Sequence, residues 1–173
     1  LLFSGVCNWL RKKEWDSNCG NGILTADEIS RYDYHNVELV VLSSCLGGMN
    51  DTVASKGFQG LIGGFSASGV KYVISNIWNA DDMATAILMD AFYYQYCVKK
   101  VAPPVALKRA KQYLRTVTIG DLKRRNWFEY ILQGNILNAS MKMKVSSYAD
   151  KNERFRPFKN EIYWSGFTCF RCN

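Results

Sequence analysis

The run Val37-Glu-Leu-Val-Val-Leu-Ser-Ser44 constrains the fold more than any other feature of the chain. It is rich in β-branched residues and mostly apolar, as expected of a strand buried on both faces of a parallel sheet. A second such run, Val70-Lys-Tyr-Val-Ile-Ser-Asn-Ile-Trp78, follows it. Between them Phe58, Leu61, Ile62 and Phe65 recur at helical spacing, and Gly69 supplies the stop. Strand, helix and strand joined by short links predict an α/β fold with a parallel sheet and right-handed crossovers. In such sheets functional groups collect beyond the carboxyl ends of the strands. Cys45, followed by Leu46-Gly-Gly48, stands at one such end, and the Trp78–Asp82 segment stands at the next.

The rest of the chain punctuates itself. Leu1–Val6 reads as a strand and residues 8–21 as a loop. Thr25-Ala-Asp-Glu28 is a capping box that should start a short helix running to about Tyr32. Asp81 and Asp82 open an amphipathic helix from Met83 to about Lys99. Pro103-Pro104 then breaks the chain and starts a helix over Val105–Leu114. A weaker helix is expected over Asp121–Leu132, and Trp164–Cys172 reads as a final strand. Residues 134–160 are polar, basic and patternless, which predicts a mobile loop or an insertion. There is no internal repeat. At 173 residues the chain is expected to be a single domain over 1–173. It begins without Met, inside what reads as a strand, and is expected to be a piece of something longer.

Composition narrows the class of function. With 48% hydrophobic and 21% charged residues the chain is globular rather than disordered. No stretch approaches the roughly 18 uninterrupted apolar residues of a membrane helix. Leu1-Leu-Phe-Ser-Gly-Val-Cys7 is too short, and lacks the basic leader, for a signal peptide. The net charge of +7 admits a nucleic-acid partner, but no stacking motif or groove-reading helix accompanies it. The basic residues read instead as solvated helix faces. Six cysteines follow no secreted framework, and Cys45 and Cys97 stand in apolar surroundings typical of reduced, buried thiols. That points to an intracellular, cytoplasmic setting. Cys169-Phe-Arg-Cys172 is a lone CxxC without the further ligands that zinc requires. No phosphate loop or dinucleotide pattern is present, so neither metal nor cofactor is implied.

Several segments, taken in order, resemble one family. Gly22-Ile-Leu-Thr-Ala-Asp-Glu-Ile29 and Val37-Glu-Leu-Val-Val-Leu-Ser-Ser-Cys45-Leu-Gly-Gly48 are the first two. Ile74-Ser-Asn-Ile-Trp-Asn-Ala-Asp-Asp-Met-Ala-Thr85 and Trp164-Ser-Gly-Phe167 complete the set. Together they are similar to the CHAT family of caspase-like peptidase domains, often joined to TPR repeats, and more distantly to separase. The likeness covers most of the chain apart from about 134–160. It implies a caspase-like three-layer sandwich, with a mostly parallel sheet and helices on both faces. It also implies a Cys–His dyad with the thiol at Cys45, a protein or peptide substrate, and further domains such as TPR repeats in the same protein.

The chain departs from that pattern at the base. The family's His-Gly motif lies upstream of the segment that Leu1–Val6 matches, and its glycine helps to form the oxyanion hole. The chain has one histidine, His35, ten positions before Cys45 at the other end of the same strand. Extended chain rises about 3.3 Å per residue, which puts His35 about 30 Å away, far beyond hydrogen-bond reach. His35 therefore reads as a surface histidine, and the dyad histidine is expected from an upstream segment outside these residues.

The thiol itself needs help. With an ordinary pKa near 8.5 only a small fraction is thiolate at neutral pH, so a neighbouring base must take its proton. A strand end before two glycines would expose sulfur and let the backbone N–H face a developing oxyanion. Asp81 and Asp82 have a plain reading as helix-start carboxylates. The likeness to separase gives them another: an acidic residue shortly after the matching tryptophan binds a basic P1 side chain. Asp82 fits that spacing best, with Asp81 beside it, and Trp78 either walls the pocket or simply packs. Two function classes stay open. One is a cysteine endopeptidase working through an acyl-enzyme on Cys45. The other is a catalytically inactive caspase-like module kept for protein interaction.

Overall fold

A computed structural model of the chain describes residues 23–42, 52–78, 81–129 and 139–172. Cys45, the expected strand Leu1–Val6 and the loop at 8–21 lie outside the described residues. The described chain is α/β. Its close contacts gather into two compact units.

The first unit comprises described residues 23–42, 52–74 and 170–172. It begins with α1, Ala26–Ser30. The Thr25 hydroxyl accepts from the Glu28 N–H, and the Glu28 carboxylate accepts from the Thr25 N–H at 2.7 Å. The capping box expected from the sequence is therefore in place, and it satisfies two otherwise orphaned donors. Strand β1 spans Leu39–Leu42 and helix α2 spans Thr52–Ala67. Phe65 is buried while Leu61 and Ile62 are half-buried, so the helical spacing identified the inward face. Gly69 ends the helix with φ of +93°, in the left-handed region that glycine adopts at no steric cost. Ile29, Leu42, Phe65, Val70, Val73 and Ile74 form the apolar core of this unit.

Strand β2, Tyr72–Asn76, is buried at every position but its first. Its start lies beside the start of β1, where the Tyr72 N–H donates to the Glu38 carbonyl at 2.9 Å. Strand β3, Phe167–Arg171, completes a three-stranded sheet in the order β1-β2-β3. It runs against β2: Ile77 donates to Gly166 at one end, and Cys172 donates to Lys71 at the other. The sheet is therefore mixed, and the expectation of a mostly parallel sheet is corrected. The last strand returns from a 3-10 turn, Glu161–Tyr163, and a strand entered from that side can pair antiparallel without a crossover. β1 differs from expectation too. Only Leu42 of its four residues is buried, the other three being half-buried.

The second unit comprises described residues 75–78, 81–129 and 139–169. Helix α3 runs over Asp82–Tyr93 and continues as a π turn, Tyr94–Val98. Cys97 lies in that turn and is exposed, which corrects the expectation of a buried thiol. Its apolar neighbours Tyr94 and Val98 are themselves exposed, so local hydrophobicity misled. Pro103 and Pro104 open α4, Pro103–Thr116, where their missing N–H groups leave no helical acceptor unpaired. Helix α5, Ile119–Arg124, carries a second capping box between Thr118 and Asp121. Those Thr118 bonds hold the Asp121 carboxyl below its usual range. Helix α6, Ala139–Ala149, lies within the stretch that the sequence left patternless. Met83, Ile87, Leu88 and Phe92 of α3 and Ala106, Leu107, Ala110 and Leu114 of α4 are buried, and the two helices pack together. Among the described residues no helix is long and apolar enough to cross a membrane.

Candidate functional site

The segment that follows β2 carries three of the four expected site residues. Asn76, the last residue of β2, is buried, and its side-chain amide donates to the Trp78 carbonyl. That bond folds the chain back on itself just past the strand. The Trp78 indole lies over Gly166, where an added Cβ would come within 2.6 Å of the Trp78 ring and 2.4 Å of Asn76 Oδ1. Its ring N–H donates to the Ile162 carbonyl at 3.0 Å. Of the two readings open from the sequence, packing is the one the geometry displays. Trp78 is seated on the turn that launches β3.

Asp81 is the N-cap of α3, its carboxylate accepting from the Ala84 N–H at 3.0 Å. The other oxygen pairs with the Lys144 ammonium, which arrives from α6. Asp81 is nearly enclosed, with 10% of its side chain exposed, so the pair works at reduced dielectric. The Asp81 hydrogen bond and charge raise Lys144 above the ordinary lysine value, against a smaller opposing effect of burial. Tyr148 stands near, its hydroxyl pushed up mainly by burial and further by Tyr163 and Asp81. Asp82 occupies the first turn of α3 and is exposed. The two adjacent carboxylates thus diverge. Asp81 is nearly enclosed and bonded to Ala84 and Lys144, whereas Asp82 is exposed.

His35 is placed as the sequence predicts. It lies in a turn ahead of β1, with 78% of its side chain exposed and its Nδ1 2.5 Å from the Asp33 carboxylate. Among the described residues no group of three His, Cys, Asp or Glu side chains could hold a metal ion. Neither Cys169, within β3, nor Cys172, just after it, is in a disulfide.

A model of the CHAT domain matches residues 7–171. The chain belongs to the CHAT-domain family. No curated protein and no solved structure matches it. The matched span of this CHAT domain includes Cys45, Trp78, Asp81, Asp82 and Lys144.

Sequence reasoning missed Lys144 and Gly166 as neighbours of the site. A signal for the first exists: Met141, Lys144, Val145 and Tyr148 fall at the spacing of one helix face, and Met141 and Val145 are buried. The serines and lysines interleaved along α6, and the polar chain that follows it, masked that stripe. Gly166 was legible only as part of the Trp-Ser-Gly-Phe motif, with nothing local to reveal that Trp78 rests on it.

Proposed function

We propose that this CHAT domain is the nucleophile-bearing part of a cysteine endopeptidase. Cys45 is the thiol that forms the acyl-enzyme, and a histidine from outside these 173 residues is its base. The observation that carries the reading is the family match over residues 7–171, which includes the Ser-Ser-Cys45-Leu-Gly-Gly48 motif. Two features of the fold support it. Cys45 follows β1 by three positions in the chain, the Trp78–Asp82 segment follows β2, and β1 and β2 start side by side. Asp82 presents an exposed carboxylate at the start of α3, suited to charge-assisted bonds with a basic P1 side chain. Asp81 holds the helix start in position beside it. The thiolate attacks the scissile carbonyl, the histidine that took its proton returns it to the leaving amine, and water then releases the acyl group.

The test is covalent labelling. In a longer native chain that supplies the histidine, an electrophilic peptide with arginine at P1 should attach to Cys45. Cys45→Ala should abolish the label, and Asp82→Asn should shift preference away from arginine. Equal labelling of the Cys45→Ala variant would sink the assignment. A second reading, an inactive module for protein interaction, draws on Asp81 being already occupied by Lys144. Absence of any label in the longer chain would favour it.

A further inference from the structure

A groove of about 590 Å³ runs between α4 and the start of β3, within the second unit and separate from the residues assigned to peptide cleavage. Three cations line it: Lys108, Lys111 and Arg115. They stand at i, i+3 and i+7 on α4, so the helix presents them on one face over about 10 Å. Like charges at this spacing repel one another, a cost that a counter-charge would remove. Among the described residues none of the ion pairs includes any of the three. Lys111 is half-buried, its ammonium reaching only the Ser165 carbonyl at 3.4 Å, and burial alone lowers its pKa. A cation taken partly out of water with no counter-ion among the described residues is the arrangement that an arriving anion stabilises.

A second observation is independent of charge. The Trp164 indole N–H is buried and has no acceptor among the described residues. Such a donor forgoes about 1–3 kcal/mol until an acceptor reaches it. Trp164 lines the same groove, and the Arg115 guanidinium lies 5.9 Å from its ring centroid. Leu107 and Phe167 supply an apolar floor.

We infer that this groove binds a small organic phosphate, its phosphoryl oxygens held by Lys108, Lys111, Arg115 and the Trp164 N–H and its organic part resting on Leu107 and Phe167. A singly charged carboxylate would leave two cations uncompensated, whereas a phosphate monoester or diphosphate carries two or three charges. The site lies outside the Cys45 chemistry, and its test does not depend on that chemistry.

The probe is inorganic pyrophosphate, titrated by calorimetry into the full chain at physiological salt, with Trp emission followed in parallel. Sub-millimolar binding is expected, with adenosine diphosphate binding more tightly because it adds an apolar ring. Lys111→Met and Arg115→Gln should each weaken pyrophosphate about tenfold or more, as loss of one charge-assisted bond implies. Trp164→Phe should weaken it several-fold, while Lys151→Ala, on an exposed turn, should change nothing. Pyrophosphate should also raise the melting temperature of the parent chain and of Lys151→Ala, but not of Lys111→Met. That comparison keeps the result readable if one variant folds poorly. No heat and no thermal shift with millimolar pyrophosphate would overturn the inference. Equal binding by the parent, Lys111→Met and Arg115→Gln would overturn it as well, by leaving only diffuse attraction to a basic chain.

Discussion

At the scale of single residues, Asp81 does two jobs with one carboxylate, and the jobs can be separated. Asparagine caps a helix about as well as aspartate, so Asp81→Asn should keep the bond to Ala84 and lose only the charge facing Lys144. Its cost should match that of Lys144→Met, about 1 kcal/mol or less, since Lys144 is 44% exposed and solvent screens the pair. Asp81→Ala loses the cap as well and should cost about 2 kcal/mol. Urea melts of the three variants and the Asp81→Asn, Lys144→Met double variant would check this; costs that simply add would show no coupling. The pair also sets a pH dependence. Lys144 is raised above its unfolded value, so its contribution is complete below about pH 10.4 and fades as pH climbs through the raised folded value. Thermal stability should therefore decline on the alkaline side, and less steeply in Lys144→Met.

At the scale of elements, α1 and α2 pack closely enough to distinguish neighbouring glycines. A Cβ on Gly64 would meet the Ala26 carbonyl oxygen at 2.6 Å, and backbone cannot swing aside. A Cβ on Gly63 would meet nothing within 4 Å. Gly64→Ala should cost about 1–3 kcal/mol by overpacking, while Gly63→Ala should gain up to about 1 kcal/mol from helix propensity. Denaturation midpoints that move in the same direction would contradict the packing. The apolar spacing of Phe58, Leu61, Ile62 and Phe65 announced a helix but not which glycine touches α1, because that depends on contact between two segments. The same limit governs the rest. Capping boxes at Thr25 and Thr118, the proline start of α4 and the left-handed Gly69 are local bargains between neighbours; the first, the proline start and Gly69 were read directly, and the box at Thr118 was equally readable. The reversal of β3, the half-covered β1, the exposure of Cys97 and the seat of Trp78 on Gly166 depend on distant partners, and periodicity carries no record of those.

At the scale of the whole molecule, membership in the CHAT family and the placement of His35 bear on the same point. The one histidine is exposed and paired with Asp33, at the entrance to β1. A chain of these 173 residues should therefore leave peptide esters and amides unhydrolysed, with Cys45 reacting toward iodoacetamide no faster than an unassisted thiol. A pH–rate profile would show this as a single rise near the ordinary thiol value; an inflection near pH 6.5 would mean that a base is already in reach. The thiol motif and both candidate carboxylates were legible in the chain, because motif order survives without three-dimensional knowledge. The commitment of Asp81 to Lys144 was not, since 63 residues separate the partners.

The π turn at the end of α3 has a consequence for chain length. Its signature bond runs from the Lys99 N–H to the Tyr94 carbonyl, five residues back, one residue more than an α turn holds. Loss of one residue between Tyr94 and Val98 would let that loop close as ordinary helix, leaving the buried face of α3 ahead of it undisturbed. The same loss inside α4 would rotate everything beyond it by about 100°. The cations of the groove would then part company, with Lys108 on one side of the helix and Arg115 swung toward another. One surplus residue thus marks where this domain can absorb a change in length, and where it cannot.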